Sequence, residues 1–338
     1  MKKNICLSVA MLLLVIHTCF AKIWRVNNNT GVTADFTTLQ AAHDAASAGD
    51  TIHLEPSING YGNLTMSKRL VIISTGQFIA DNPGIQFDTK AAFAGTINIS
   101  NTDANNSVLM IRFSGNININ SGVSGVALIS CASTTANGNT GCVAGQAILS
   151  NAKNITIRGS WFSNIQFDNN SNNIVIVNNI IGNAIRNDVT SDGIISNNVI
   201  HAVAGGACGS NDGTINNCVV GNNIFNSQQN ASFFNCTVSN NIAPSANLPA
   251  GNGNQVNVDM STVFVNAAGG FVDNAYQLKP GSPAIGAGGG GIDCGAFGGG
   301  SPYKLAATPP IPSIYKMSIP ATPSGNSMTL TFSTKSNN

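Results

Sequence analysis

A short aliphatic run, two asparagines and another aliphatic residue recur along the second half of this chain. The copies read Ile174-Val175-Ile176-Val177-Asn178-Asn179-Ile180, Ile194-Ile195-Ser196-Asn197-Asn198-Val199, Cys218-Val219-Val220-Gly221-Asn222-Asn223-Ile224 and Cys236-Thr237-Val238-Ser239-Asn240-Asn241-Ile242. A degenerate copy, Ile155-Thr156-Ile157-Arg158-Gly159-Ser160-Trp161, precedes them. With the second polar residue as marker, the copies fall at 160, 179, 198, 223 and 241, in steps of 19, 19, 25 and 18 residues. A period near twenty is too short for helical-pair repeats and matches one turn of a stacked β-solenoid.

Aligning the copies gives columns. Ile155, Ile174, Gly193, Cys218 and Cys236 form one; Ile157, Ile176, Ile195, Val220 and Val238 form a second; Trp161, Ile180, Val199, Ile224 and Ile242 form a third. Residues two apart on a strand share a face, so the first two columns point into the core and Arg158, Val177, Ser196, Gly221 and Ser239 point out. Ser160, Asn179, Asn198, Asn223 and Asn241 then stand at a corner. A side-chain amide there can bond the equivalent amide one coil above and below. An antiparallel sandwich would show hairpin turns and no such column identity. Looser alternation upstream (Ile52 and Leu54, Leu64 and Met66, Val71 and Ile73, Ile97 and Ile99, Leu109 and Ile111) extends the pattern back to Thr51. At about twenty residues per turn, Thr51 to Phe297 holds on the order of ten coils.

Both ends of such a stack need covering. Residues 36–46 read as one amphipathic helix with Leu39, Ala42, His43 and Ala46 on one face and Thr37 or Thr38 as N-cap, a lid ahead of the first strand. Past Gly300, Thr308-Pro309-Pro310-Ile311-Pro312 is a stiff linker, followed by two alternating strands around Ile314–Ile319 and Met328–Phe332. Two strands alone are marginal in water, so they are expected to dock on the solenoid.

The stretch from Asp35 to Ser57, with its helix running through Gly49-Asp50-Thr51-Ile52 into a strand, resembles the opening of pectin-lyase-like right-handed parallel β-helix proteins of the secreted bacterial type. Tyr276 to Gly299, with Ser282-Pro283-Ala284-Ile285 and Asp293-Cys294-Gly295-Ala296, resembles the phrase that closes many of them. The expected fold is all-β: a single-stranded right-handed parallel β-helix over 51–300. A segment with a helical cap (22–50) precedes it and a linker with a short β tail (301–338) follows. The resemblance covers about residues 30–300 and is unspecific for activity, since such proteins include lyases, glycoside hydrolases and adhesins.

Residues 1–21, with Lys2 and Lys3, an apolar run from Ile5 to Ile16 and Ala21, read as a signal peptide cleaved near Ala21. The apolar run is shorter than the roughly twenty residues a membrane span needs. The expected location is secreted or cell-surface, with no transmembrane helix in the mature chain. Six cysteines then remain, a number that permits disulfides in an exported protein. Cys131 and Cys142 bracket a polar loop and are the first candidate pair. Cys218 and Cys236, in the same place on consecutive coils, are either bonded or packed as inward thiols.

Only 9% of residues are charged, Glu55 is the sole glutamate and the net charge is +1, so no basic patch is present to bind nucleic acid. Paired Asp-Asp with Gly-His-Gly and Arg-Ile-Lys, the hydrolase phrases of the resembling family, are absent. Counting from the markers, Asp168 and Asp188 occupy similar turns on adjacent coils, with Arg186 nearby and Asp192 opening the next strand. Carboxylates stacked beside arginine suit a sugar acid or a metal. No cofactor or metal ligand set is otherwise called for, and calcium is the ion such turns could take. Arg158 faces outward, and the long coil from His201 to Asn216 adds His201 and Asp212 as binding candidates on a loop wall. His43 and His53 belong to the cap and the first strand. Gly288-Gly289-Gly290-Gly291-Ile292-Asp293 fits a calcium repeat in form, but as a single copy reads as a turn. The expected function is a non-catalytic scaffold binding glycan or another extracellular surface. The alternative is a polysaccharide lyase or glycoside hydrolase acting on an acidic glycan through Asp168, Asp188, Asp192 and Arg186.

Overall fold

Like residues stack on like. In the computed structural model Ile174 pairs with Gly193 and Gly193 with Cys218, while Ile157, Ile176, Ile195, Val220 and Val238 pair in one continuous row, every pairing parallel. The structure describes residues 21–90, 92–134, 144–200, 214–226, 232–266, 272–320 and 327–337. Within them the chain passes from a ten-stranded sheet to a seven-stranded and then a six-stranded sheet, and repeats the cycle. One circuit runs through Thr156–Arg158, Trp161–Phe162 and Asn164–Asp168 before returning at Ile174–Val177. After Ile200 the third strand of each circuit moves to a small parallel sheet, Thr214–Asn216 with Ser232–Phe234.

The alternation explains the burial. Ile155, Ile157, Ile174, Ile176, Ile195 and Val220 are all fully buried in one core that runs the length of the stack. Each such side chain contributes roughly 1.5–3 kcal/mol. Arg158, Val177, Ser196, Gly221 and Ser239 face out in a single row, as the alternation requires.

The two asparagines of each pair divide the corner between them. The first, at Asn178, Asn197, Asn222 and Asn240, takes the left-handed backbone, with φ of 56°, 53°, 58° and 54°; Gly159 takes it in the degenerate copy. The second turns inward and carries the ladder. The amide N–H of Asn179 donates to Asn198 Oδ1, that of Asn198 to Asn223 Oδ1 and that of Asn223 to Asn241 Oδ1, each at 2.9 Å. Ser160 N–H joins through Asn179 Oδ1 at 3.0 Å, and Asn254 Oδ1 extends the row beyond Asn241, also at 3.0 Å.

The helix α1 (Leu39–Ala45) is capped by Thr38, whose side chain accepts from Ala41 N–H, and buries Leu39, Ala42 and His43. It is inserted between the first two strands rather than placed ahead of them: Ile23–Val26 already pairs with Thr51–Leu54. Lys68 Nζ donates to the carbonyls of His43, Asp44 and Ala46, satisfying acceptors at the helix C-terminus.

Among the described residues, parallel pairing ends at the Ile242–Gln255 bridge, well before Phe297. The following segment turns back along the outside of the seven-stranded sheet. Its Val263, Phe264, Tyr276, Ala284 and Ala296 form a second apolar cluster with Trp161, Ile180, Val199, Ile224 and Ile242. The third column is therefore not an inner wall but the seat of a C-terminal strap. The first asparagines hold that strap: Asn178 Nδ2 donates to the carbonyls of Ala296 (3.0 Å) and Gly298 (2.7 Å), Asn197 Nδ2 to that of Asp293 (3.1 Å), and Gly289 N–H to Asn222 Oδ1 (2.9 Å). Asp293 closes its own glycine turn by accepting from Gly286 N–H at 2.9 Å.

The tail is an antiparallel hairpin, Ser313–Ser318 with Thr331–Lys335. It docks beside an early coil, through Phe87 N–H to Ile314 O (2.8 Å) and Ser313 Oγ to Ile85 O (3.0 Å). No helix among the described residues is long and apolar enough to cross a membrane.

Candidate functional site

Three outward faces are available, and they differ in what they offer. That of the seven-stranded sheet lies under the strap. That of the ten-stranded sheet carries exposed Ile194 and Val219 toward the far end of the stack and is flanked by the tail at its start. The six-stranded sheet presents a row in strict register, polar except at Ile148: Thr65, Asn98, Asn118, Ile148, Gln166 and Arg186, all at least partly accessible. Two adjacent pairs bond across coils. Asn118 Nδ2 donates to Asn98 Oδ1 at 2.7 Å, and Arg186 Nε to Gln166 Oε1 at 3.1 Å. Gln166 Nε2 in turn donates to Asp168 Oδ2, so one amide links the carboxylate to the guanidinium.

Asp168 ends the strand Asn164–Asp168 beside Ser150. Asp188 sits at the equivalent turn of the next coil, where its Oδ2 accepts from Asn169 N–H at 2.8 Å. Its Oδ1 accepts from Thr190 N–H (3.1 Å), Thr190 Oγ1 (2.8 Å) and Ser191 Oγ (2.7 Å). Burial pushes the Asp188 carboxyl up, but these bonds outweigh it and hold its pKa below the ordinary range. That suits a turn-forming anion and is opposite to what a proton donor needs.

Asp192 is exposed at the following corner, with Oδ1 accepting from Asn173 N–H at 2.7 Å. Arg158 lies on a different sheet, between Ile129 and Val177. The structure thus groups Asp168, Asp188 and Arg186 on one face and sets Asp192 and Arg158 apart from it. His201, Asp212 and Cys142 fall outside the described residues. Cys131 is a buried thiol whose Sγ contacts Leu109 O at 3.2 Å, with burial pushing its pKa up to about 12. Among the described residues, no group of three His, Cys, Asp or Glu side chains could hold a metal ion.

Two features escaped the sequence reading. Gln166 was invisible as a link because it belongs to no repeat phrase, although it stands 20 residues from Arg186, one coil away. The second is a cleft of about 290 Å³ between the tail and the early coils, with His53 in its lining beside Phe87, Pro309, Ile314 and Met317. Burial lowers the His53 pKa against the pull of Glu55, favouring the neutral imidazole. No family model, curated protein or solved structure matches this chain.

Proposed function

We propose that this chain is an exported right-handed parallel β-helix of the pectin-lyase-like kind. In this reading it is a non-catalytic scaffold that binds glycan, or another extracellular surface, along the outward face of its six-stranded sheet. The observation that carries the reading is the uncovered row from Asn98 to Arg186, in which Asn118 bonds Asn98 and Arg186 bonds Gln166 across coils, the two polar pairs lying on either side of Ile148. Export rests on the basic start and apolar run of residues 1–21. The absence of nucleic acid among its partners rests on the near-neutral charge.

Catalysis is the second reading, favoured by one observation: Asp168, Asp188 and Arg186 share that face. Against it stands the full engagement of Asp188 in its turn. The mature protein incubated with a panel of uronates, read by ultraviolet absorbance for unsaturated ends and by reducing-sugar release, separates the two. The scaffold reading expects neither signal, together with saturable retention on at least one glycan that weakens in Arg186→Ala and Gln166→Ala. Turnover that disappears in Asp188→Asn would replace it with the enzymatic one.

A further inference from the structure

Cys218 and Cys236 are neighbours at the end of the stack. Cys218 opens the strand Cys218–Gly221, and the adjacent residues Val219 and Thr237 are partners in the parallel pairing to Thr237–Ser239, the last strand of the long sheet. Partners in a parallel sheet lie about 4.8 Å apart, within the roughly 4.4–6.8 Å between α-carbons that a disulfide spans. The Cys236 thiol reaches the Cys218 backbone, with Cys218 N–H donating to Cys236 Sγ at 3.4 Å, while Asn187 Nδ2 approaches Cys218 Sγ at 3.9 Å. The other contacts of Cys236 Sγ are with the carbonyls of Ile215 and Phe234, both at 3.3 Å. Both cysteines are thiols here, Cys218 buried and Cys236 partly exposed. Cys294 points elsewhere, to Asn240 O.

We propose that Cys218 and Cys236 form a reversible disulfide that ties the final coil to the one before it. The oxidant is a small-molecule disulfide such as oxidised glutathione. The Cys236 thiolate attacks one of its sulfurs, the S–S bond breaks, and one glutathione leaves as thiolate and takes up a proton. The Cys218 thiolate then attacks the Cys236 sulfur of the mixed disulfide and expels the second glutathione, so two thiols are oxidised and one disulfide is reduced. Cys236 reacts first because it is the accessible one. Burial raises both thiols, Cys218 to about 12, which makes the exchange slow once the coil is closed. The bond closes an 18-residue loop, the circuit that leads into Thr237–Ser239, which among the described residues is the edge strand of the long sheet, where a stack frays most readily.

The test is a peptide map of the full chain after prolonged exposure to oxidised glutathione, quenched by alkylation in denaturant. The expected result is a cross-linked pair of peptides holding Cys218 and Cys236, lighter by two hydrogens. Both alkylation sites should be lost, and both should return after reduction. Cys131→Ser should keep the cross-link and Cys236→Ser should abolish it. The oxidised chain should also show a higher urea midpoint than the reduced one. Full alkylation of both residues after exposure, or linkage of either to Cys142 or Cys208, overturns the proposal.

Discussion

Replacing Asn198 with alanine removes the middle rung of the buried amide ladder. Its Oδ1 accepts from the main-chain N–H of Asn179 at 2.9 Å and from Asn179 Nδ2 at 3.0 Å. Its Nδ2 donates to Ile176 O at 2.9 Å and Ser196 O at 3.0 Å. Asn179 and Asn198 are both fully buried, so water cannot replace these partners. A single buried group left without a partner costs about 1–3 kcal/mol, and Asn198→Ala strands at least the Asn179 N–H and adds a small cavity. The expected loss is roughly 2–5 kcal/mol. The control is the preceding residue. Asn197→Gly keeps the left-handed backbone at φ 53° and loses chiefly the contact to Asp293 O at 3.1 Å, which should cost no more than about 1 kcal/mol. Urea unfolding followed by far-ultraviolet circular dichroism measures both, with midpoints compared at equal slope. Equal losses for the two variants, or less than about 1 kcal/mol for Asn198→Ala, would refute the division of labour within each asparagine pair.

Asp273 is fully buried, with Oδ1 accepting from Asn82 Nδ2 at 2.8 Å and Oδ2 from Ala306 N–H. Burial pushes its pKa above the ordinary carboxylate value despite those bonds. Its contribution to stability is therefore complete below about pH 4 and declines as pH rises through the elevated folded value. Asp273→Asn should flatten that slope in urea midpoints measured across acid to neutral pH. Asp188 has the opposite sign: its lowered pKa gives stability that is present above the ordinary carboxylate value and lost as pH falls through the folded one. Asp188→Asn should remove that acid-side dependence. Gly298 lies against the strap turn so closely that an added methyl would overlap the Asp293 carbonyl oxygen. Gly298→Ala should lower the unfolding free energy by about 2 kcal/mol or more and expose the segment after Val258 to limited proteolysis.

The coil register was legible because identical positions must stack. The spacing from Ile174 to Gly193 to Cys218 is enough to align three strands, and the structure pairs them that way. The strap was not legible, for a physical reason: an aliphatic column looks the same whether it lines the inside of a coil or the seat of a covering segment. Ile157 and Ile180 differ in destination, one in the inner core and one under Tyr276 and Phe264, yet both are simply buried isoleucine positions. What distinguishes them is the left-handed residue between, Asn178 in that copy, which turns the chain so that the next apolar side chain faces out of the coil. The site follows the same logic. The turn carboxylates Asp168 and Asp188 could be placed by counting from the markers, because that count is fixed by the stack. Their chemistry could not, because it depends on the neighbours that reach them: Gln166 for Asp168, and Asn169, Thr190 and Ser191 for Asp188. Periodicity therefore determines where a side chain stands, and the non-repeating residues determine what it can do there. In this chain the non-repeating residues bind Asp188 into its turn and leave the row from Asn98 to Arg186 facing solvent, which makes that row the place to look for a ligand.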